Sequence, residues 1–452
     1  MQVTETLVDG LKREFKVVVP ATELDGRLSE RLNSLKDEVR IKGFRPGKVP
    51  MSHMKRLFGR SAMAEIVQDV ISEVARNTLS ERGEKAAMQP HYALPEDQGE
   101  ANEVLSGNHD LAYTMSYEVL PKIDLVDFKS ISVERPTVEV TDAEVEEQLT
   151  RLADSTRSYT TKAGPAEVGD RVTVAYLGKL DGEPFEGGKD DDAAIRIGDK
   201  RFIPGFEEQL VGLSSGDAKT IAVTFPADYG AANLAGKEAT FDIEVKAVAA
   251  GDPVAVDNEL AKRLGLETLE SLRNTVRQQL QSQYAQAIRQ RVKRQILDRL
   301  DETHKIDLPQ RLVEQEFDTI WRQIVNELSN TSRTFEDEDT TEEKARAEYM
   351  EIAKRRVRLG LVMSEIGQKA KVEITEDELQ RAMAAQLRQV PGQEQALLDY
   401  YRRNPDALAS LRAPIFEEKV VDYVLELINV TDKPTSAEAL MKQADEEGLT
   451  AT

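Results

Sequence analysis

The chain has 452 residues, 31% charged and 40% hydrophobic, which supplies apolar material for roughly two to four domains with cores of their own. It carries 60 Lys and Arg against 82 Asp and Glu, a net charge of −22, and that acidity argues against a protein that coats nucleic acid broadly. There is no cysteine, so disulfides, a thiolate nucleophile and Cys-ligated metals are excluded and a reducing compartment is expected. Met1-Gln2-Val3-Thr4-Glu5 has neither the basic start nor the apolar run of a signal peptide, and nowhere is there an apolar run long enough for a membrane span.

In chain order, Leu11, Arg13, Phe15, Val17 and Val19 alternate behind an Asp9-Gly10 turn and predict a β-hairpin. Leu24, Leu28, Leu32, Leu35 and Val39 recur at helical spacing, with Thr22 as the expected N-cap. A second helix is expected from near Ser61, with Met63, Val67, Val70, Ile71, Val74 and Leu79 facing inward. Strands follow at 110–119 and 131–135, and a Thr141-Asp142-Ala143-Glu144 capping box opens a helix to about residue 154.

From 164 to 248 the composition turns to Gly, β-branched and aromatic residues. Strand-like runs fall at 171–177, 194–197, 218–225 and 239–248, with one helix at 205–213. Asp190-Asp191-Asp192 lacks EF-hand spacing and reads as a solvated loop. After Asp252-Pro253 the chain is helical. Leu272, Val276, Leu280, Tyr284, Ile288, Val292, Ile296 and Leu300 step by four. Further helices are expected from Pro309, over 342–370, from a Thr375 capping box to 390, and near 394–404 and 405–427. The missing heptad regularity suggests extended arms instead of a coiled coil, and the tail from Thr431 should fray. The expected class is therefore multidomain α+β. An N-terminal α/β domain spans 1–112, and linking strands and a helix span 113–154. A β-rich domain (155–248), an elongated all-α region with arms (249–432) and a polar tail (433–452) follow.

Two stretches carry chemistry. Residues 39–64 hold seven basic side chains and no acidic one, and the first sixty residues are net +5 in a chain that is net −22. At the centre is Gly43-Phe44-Arg45-Pro46-Gly47-Lys48-Val49-Pro50. Its prolines fix φ and its glycines permit φ > 0, so the turn presents a ring and two cations at one tip. Such a charge asymmetry orients a chain on an anionic partner. The segment is not a P-loop, since Gly47-Lys48 lacks the upstream glycine at the right spacing and a following Ser or Thr. The second stretch gathers Tyr176, Phe185, Phe202, Phe206, Tyr229 and Phe241 in one β-rich domain. His53, His91, His109 and His304 are scattered and suggest no metal site.

Three blocks together resemble the bacterial trigger factor family: the GFRPGKVP loop, a middle domain similar to FKBP-type peptidyl-prolyl isomerases, and the helical remainder. The resemblance covers essentially the whole chain. It implies a ribosome-binding N-terminal domain, an FKBP-like isomerase domain and a C-terminal body whose arms cradle nascent and unfolded polypeptide. It further implies a cytoplasmic, ATP-independent chaperone with no cofactor or metal and no membrane partner, and it admits a homodimer off the ribosome. Gly43, Phe44, Arg45, Pro46, Gly47 and Lys48 match the ribosome-docking loop, which would meet ribosomal protein and rRNA near the polypeptide exit. Many members carry a basic residue where Pro46 stands. By similarity to FKBP-type domains, Tyr176, Phe185, Glu186 and Ile197 match pocket walls. Phe202, Ile203 and Phe206 match its floor and side, and Tyr229 and Phe241 the remaining aromatic positions. Phe206 stands where many FKBPs have Trp, and Glu186 where they have Asp.

Prolyl isomerisation suits such a pocket. The barrier to twisting a peptide bond is ~18–20 kcal/mol, and the twisted amide is less dipolar than the planar one. Apolar walls and one hydrogen-bond donor therefore favour it without a nucleophile, metal or base. Two other readings remain: a foldase that never visits the ribosome, and an RNA-binding module using the basic patch alone, which the net −22 opposes.

Overall fold

The computed structural model describes residues 1–449 apart from 42, 43, 45, 46, 95, 96, 227, 228, 230–233, 253, 254, 332, 338 and 339. The chain divides into two units, residues 1–135 with 290–433, and 136–289 with the C-terminal residues from 434.

The first unit opens on the expected hairpin, β1 (Gln2–Asp9) and β2 (Lys12–Val19), turned at Gly10 with φ +51°. Then come α1 (Ala21–Glu38), α2 (Met51–Arg82), β3 (His91–Ala93), α3 (Gln98–Leu105) and β4 (Leu111–Glu118). The sheet is antiparallel in the order β1-β2-β4-β3. Alternation places Phe15, Val17 and Val19 of β2 and Leu111, Tyr113 and Met115 of β4 on one face. There they pack on Leu24, Leu28 and Leu32 of α1 and Met63, Val70 and Val74 of α2.

Two expectations fail here. Thr22 does not cap α1: the N-cap is Pro20, and the Ala21 N–H donates to the Asp110 carboxylate at 2.8 Å, a cap delivered by a residue far along the chain. Nor does α2 wait for Ser61. It starts at Met51 directly behind Pro50, and its first turns bury Met54, Gly59 and Ala62, too sparse a set to show apolar periodicity.

Past a short 3₁₀ turn, β5 (Ser132–Thr137) leads to α4 (Asp142–Ser155), which opens on the expected Thr141–Glu144 capping box. The β-rich domain contains β6 (Tyr159–Thr161), β7 (Arg171–Leu180), β8 (Glu183–Arg196), β9 (Ala218–Thr224) and β10 (Glu238–Gly251). Long β10 is the hub: β7 pairs with it, and so do β9 and β6 at successive registers, while β8 pairs outside β7. Asp190-Asp191-Asp192 lies inside β8, exposed on a strand and not in a loop. The helix expected at 205–213 shrinks to one 3₁₀ turn, Glu208–Leu210, because Gly205 and Gly212 sit at φ +88° and +86° and interrupt helical backbone on both sides.

The helical part comprises α5 (Asn258–Arg263), α6 (Leu269–Thr303), α7 (Gln310–Thr331), α8 (Glu342–Ala370), α9 (Glu376–Gln389), α10 (Glu394–Arg403) and α11 (Pro405–Leu427). In the second unit, Leu272, Val276, Leu280 and Tyr284 of α6 pack with Val145 and Leu149 of α4. In the first, α7 and α8 share Val313, Phe317, Ile320, Ala353 and Val357. The tail is not frayed at Thr431. It forms β11 (Asn429–Pro434), which pairs with β5, and α12 (Ala437–Leu449), whose Leu440 is buried with Val145 and Leu149. The β5–β11 seam is reinforced by an Arg135–Asp432 ion pair at 2.7 Å and by Lys433–Glu134 at 2.9 Å. Among the described residues no helix is long and apolar enough to cross a membrane.

Candidate functional site

The aromatic residues of the β-rich domain converge. Antiparallel pairing sets Tyr176 of β7 beside Ile243 and Phe241 of β10 beside Gly178, so Tyr176 and Phe241 project to the same face two positions apart. Phe206, delivered by the loop before the 3₁₀ turn, is 1% exposed and stands edge-on to both: 6.0 Å from Tyr176 and 5.3 Å from Phe241. Phe202 stacks on Phe206 at 5.3 Å, and Phe185 of β8 meets Phe241 edge-on at 5.9 Å. Edge-to-face geometry is the favoured arrangement of ring quadrupoles.

Burial sorts these residues into floor and rim. Phe206, Phe241 and Ile197 are buried, whereas Tyr176, Phe185, Phe202 and Ile203 are half-buried around them. Tyr229 is 41% exposed and meets the cluster at Phe225, 4.6 Å away. Glu186 is exposed. Two glycines make room for Phe185: a Cβ on Gly178 would lie 2.6 Å from its ring, and one on Gly188 would lie 2.7 Å from it.

Tyr176 is a polar ring at the edge of the cluster. Burial, then the charge of nearby Asp190, pushes the Tyr176 hydroxyl above its ordinary pKa, so it stays protonated as a potential donor. Among the described residues no group of acidic and histidine side chains is arranged to hold a metal.

Two contributors escaped the sequence reading. Phe225 is 2% exposed and bridges Phe185, Tyr229 and Phe241. Its signal was its place four residues before Tyr229 at the end of a strand. Glu207, adjacent to Phe206, is 3% exposed and accepts backbone hydrogen bonds from Gly198 and Lys200 on one oxygen and from Arg201 and Phe202 on the other, at 2.8–3.2 Å. Burial opposes its ionisation, but the four donors prevail and hold the carboxyl below its usual range.

In the basic stretch, Gly43, Arg45 and Pro46 lie outside the described residues. The rest is informative. Gly47, at φ +77°, donates its N–H to the Lys36 carbonyl at 3.0 Å, and a Cβ there would lie 2.8 Å from the Asp37 carboxylate. Val49 is buried in the N-terminal core. Phe44 is 39% exposed, its ring 5.1 Å from His53, and Lys48 is exposed. Farther along, Lys55 pairs with Asp25 at 2.6 Å and Arg60 donates to Asn102 at 2.6 Å.

Comparison with known proteins agrees with this architecture. Residues 1–152 match the family described as "Bacterial trigger factor protein (TF)", residues 268–426 its C-terminus, and residues 162–246 "FKBP-type peptidyl-prolyl cis-trans isomerase". The chain is 58% identical over 440 residues to the trigger factor of Brucella abortus (strain S19), covering 97% of this chain and 93% of that one. It is 57% identical over 447 residues to the trigger factor of Rhizobium rhizogenes, covering 99% and 90%. A solved structure from work on promiscuous substrate recognition in folding and assembly activities of the trigger factor chaperone aligns with a TM-score of 0.51 at 22% identity, over 94% of this chain and 99% of that one, and so shares the fold. The chain therefore belongs to the trigger factor family, chaperones that carry an FKBP-type prolyl isomerase domain.

Proposed function

We propose that the chain docks on the ribosome through the turn around Phe44, meets nascent polypeptide with its helical region, and isomerises X–Pro bonds in the ring pocket. In this division of labour residues 1–112 dock, 155–248 isomerise and 249–432 receive the client. The proline side chain would enter over Phe206 and Phe241 between Tyr176, Ile197, Phe202 and Ile203. Tyr229, Phe185 and Glu186 belong to the outer rim. The Tyr176 hydroxyl is the candidate donor to the twisted amide. The observation that carries this reading is the convergence of Tyr176, Phe202 and Phe241 on one buried ring, Phe206. An apolar floor of that kind favours the less dipolar, twisted amide.

For docking, support comes from an exposed Phe44 ring and an exposed Lys48, on a turn tied to α1 by the Gly47 N–H and to the core by Val49. Gly43, Phe44, Arg45, Pro46, Gly47 and Lys48 would meet ribosomal protein and rRNA at the exit, with Arg45 and Lys48 neutralising phosphate or carboxylate. The cytoplasm is the compartment this requires. Away from the ribosome, exposed Val3, Leu7 and Val8 along edge strand β1 support a homodimer.

The test is cosedimentation with 70S ribosomes, wild type beside a variant with Phe44, Arg45 and Lys48 all changed to Ala. Docking through the turn predicts loss of the variant from the ribosome pellet. Equal pelleting would instead leave a ribosome-independent foldase, the second reading.

A further inference from the structure

The segment Gly198–Phe202 is wrapped around a single carboxylate. Glu207 collects four main-chain N–H groups from one five-residue segment, those of Gly198, Lys200, Arg201 and Phe202, in a backbone concavity of the kind that binds anions. The wrap is not a relaxed one. Lys200 is held at φ +55°, a left-handed conformation that costs a residue with a Cβ. Such strain persists only where the surroundings over-determine it. The segment ends on Phe202, which stacks on Phe206, and Phe206 is the residue immediately before Glu207. One short turn thus presents the pocket floor on one residue and grips the neighbouring wall with the next.

We infer that Glu207 is a positioning residue for the isomerase: its carboxylate fixes the Gly198–Phe202 loop and so sets where Phe202 and Ile203 stand over the proline. This rests on the pocket assignment above. Glu207 touches no reacting atom. Its two oxygens are both committed to main-chain donors, so it has no capacity left for substrate. Its replacement by Gln keeps the shape but turns one oxygen into an NH₂ that faces N–H donors, which breaks half of the grip.

The experiment uses the full chain and a short X–Pro peptide, with kcat and KM measured separately for wild type, Glu207→Gln, Phe206→Ala and the double variant Glu207→Gln/Lys200→Gly. Because the lost element is a wall that binds substrate and transition state alike, Glu207→Gln is expected to raise KM about tenfold with kcat within about twofold. Glycine adopts the left-handed conformation without help, so the Lys200→Gly change is expected to bring KM back to within about threefold of wild type. If Glu207→Gln fails to fold, Glu207→Asp takes its place with the same expectation, its shorter carboxylate reaching fewer of the four donors. A folded Glu207 variant with wild-type KM overturns the inference, as does a raised KM that Lys200→Gly leaves unchanged. Phe206→Ala separates the two levels. If it retains turnover, the pocket itself is misplaced. If it loses turnover while Glu207→Gln keeps wild-type KM, the pocket stands and only the positioning role falls.

Discussion

Two aromatic clusters among the described residues are built to opposite purposes. In the isomerase domain the rings ride on strands and a loop, and Gly178 and Gly188 leave space where side chains would otherwise sit, so half-buried rings surround a buried floor. In the first unit, Trp321 of α7 lies near-parallel to Phe317 at 5.8 Å and to Phe335 at 5.3 Å and meets Tyr349 of α8 edge-on at 6.3 Å. The Arg346 guanidinium packs over the same indole at 4.3 Å. The same residue types leave a half-buried rim over a buried floor when glycines make room for a ring, and form a brace when a cation packs over them. Ring content alone therefore does not identify a pocket; what fills the gaps between rings does.

Three substitutions sharpen that contrast. The largest effect is expected from Phe206→Ala, which removes the ring that Tyr176, Phe202 and Phe241 share. Domain stability should drop by about 3–5 kcal/mol in denaturant titration, and turnover on an X–Pro peptide should be lost. Gly178→Ala comes next. Its Cβ would press on both Phe185 and Phe241, an overpacking cost of about 1–3 kcal/mol, and turnover should fall although no ring has been removed. The smallest is Arg346→Ala, which uncovers Trp321 for about 0.5–1 kcal/mol. Trp321 is the chain's single tryptophan, so its emission should shift to the red while peptide turnover stays at the wild-type value. A change in turnover would mean that the two clusters are not independent.

Sequence patterns revealed this fold wherever the determining forces are local. The Thr141 and Thr375 capping boxes, the Asp9-Gly10 hairpin and the span of α8 all follow from residues within a few positions of each other. Features set from a distance stayed hidden. The cap of α1 comes from Asp110, and polar β11 is a strand only because β5 is there to pair with it. Acidic β8 looks like loop because its ladder to β7 pays no regard to side-chain polarity, and many of its side chains face water. At the site, the rings were legible because aromatic residues in an ordered motif are conspicuous. Glu207 was not, because a carboxylate gripping main chain leaves no trace in residue identity. Phe225 reads in sequence as a strand end, since nothing local says that it touches Phe185 and Phe241.

The seam between β5 and β11 bears on how this chaperone is itself made. Asn429 Nδ2 donates to the Lys129 carbonyl, 300 positions apart. At a synthesis rate of about 5–20 residues per second, β5 leaves the ribosome roughly 15–60 s before its partner exists. For that interval its edge is open to any passing strand. β5 is equipped for the wait: Glu134 and Arg135 put charge on it, and Pro136 offers no N–H to a stranger. A protein that meets other chains as they emerge must finish its own body only after nearly all of it has emerged.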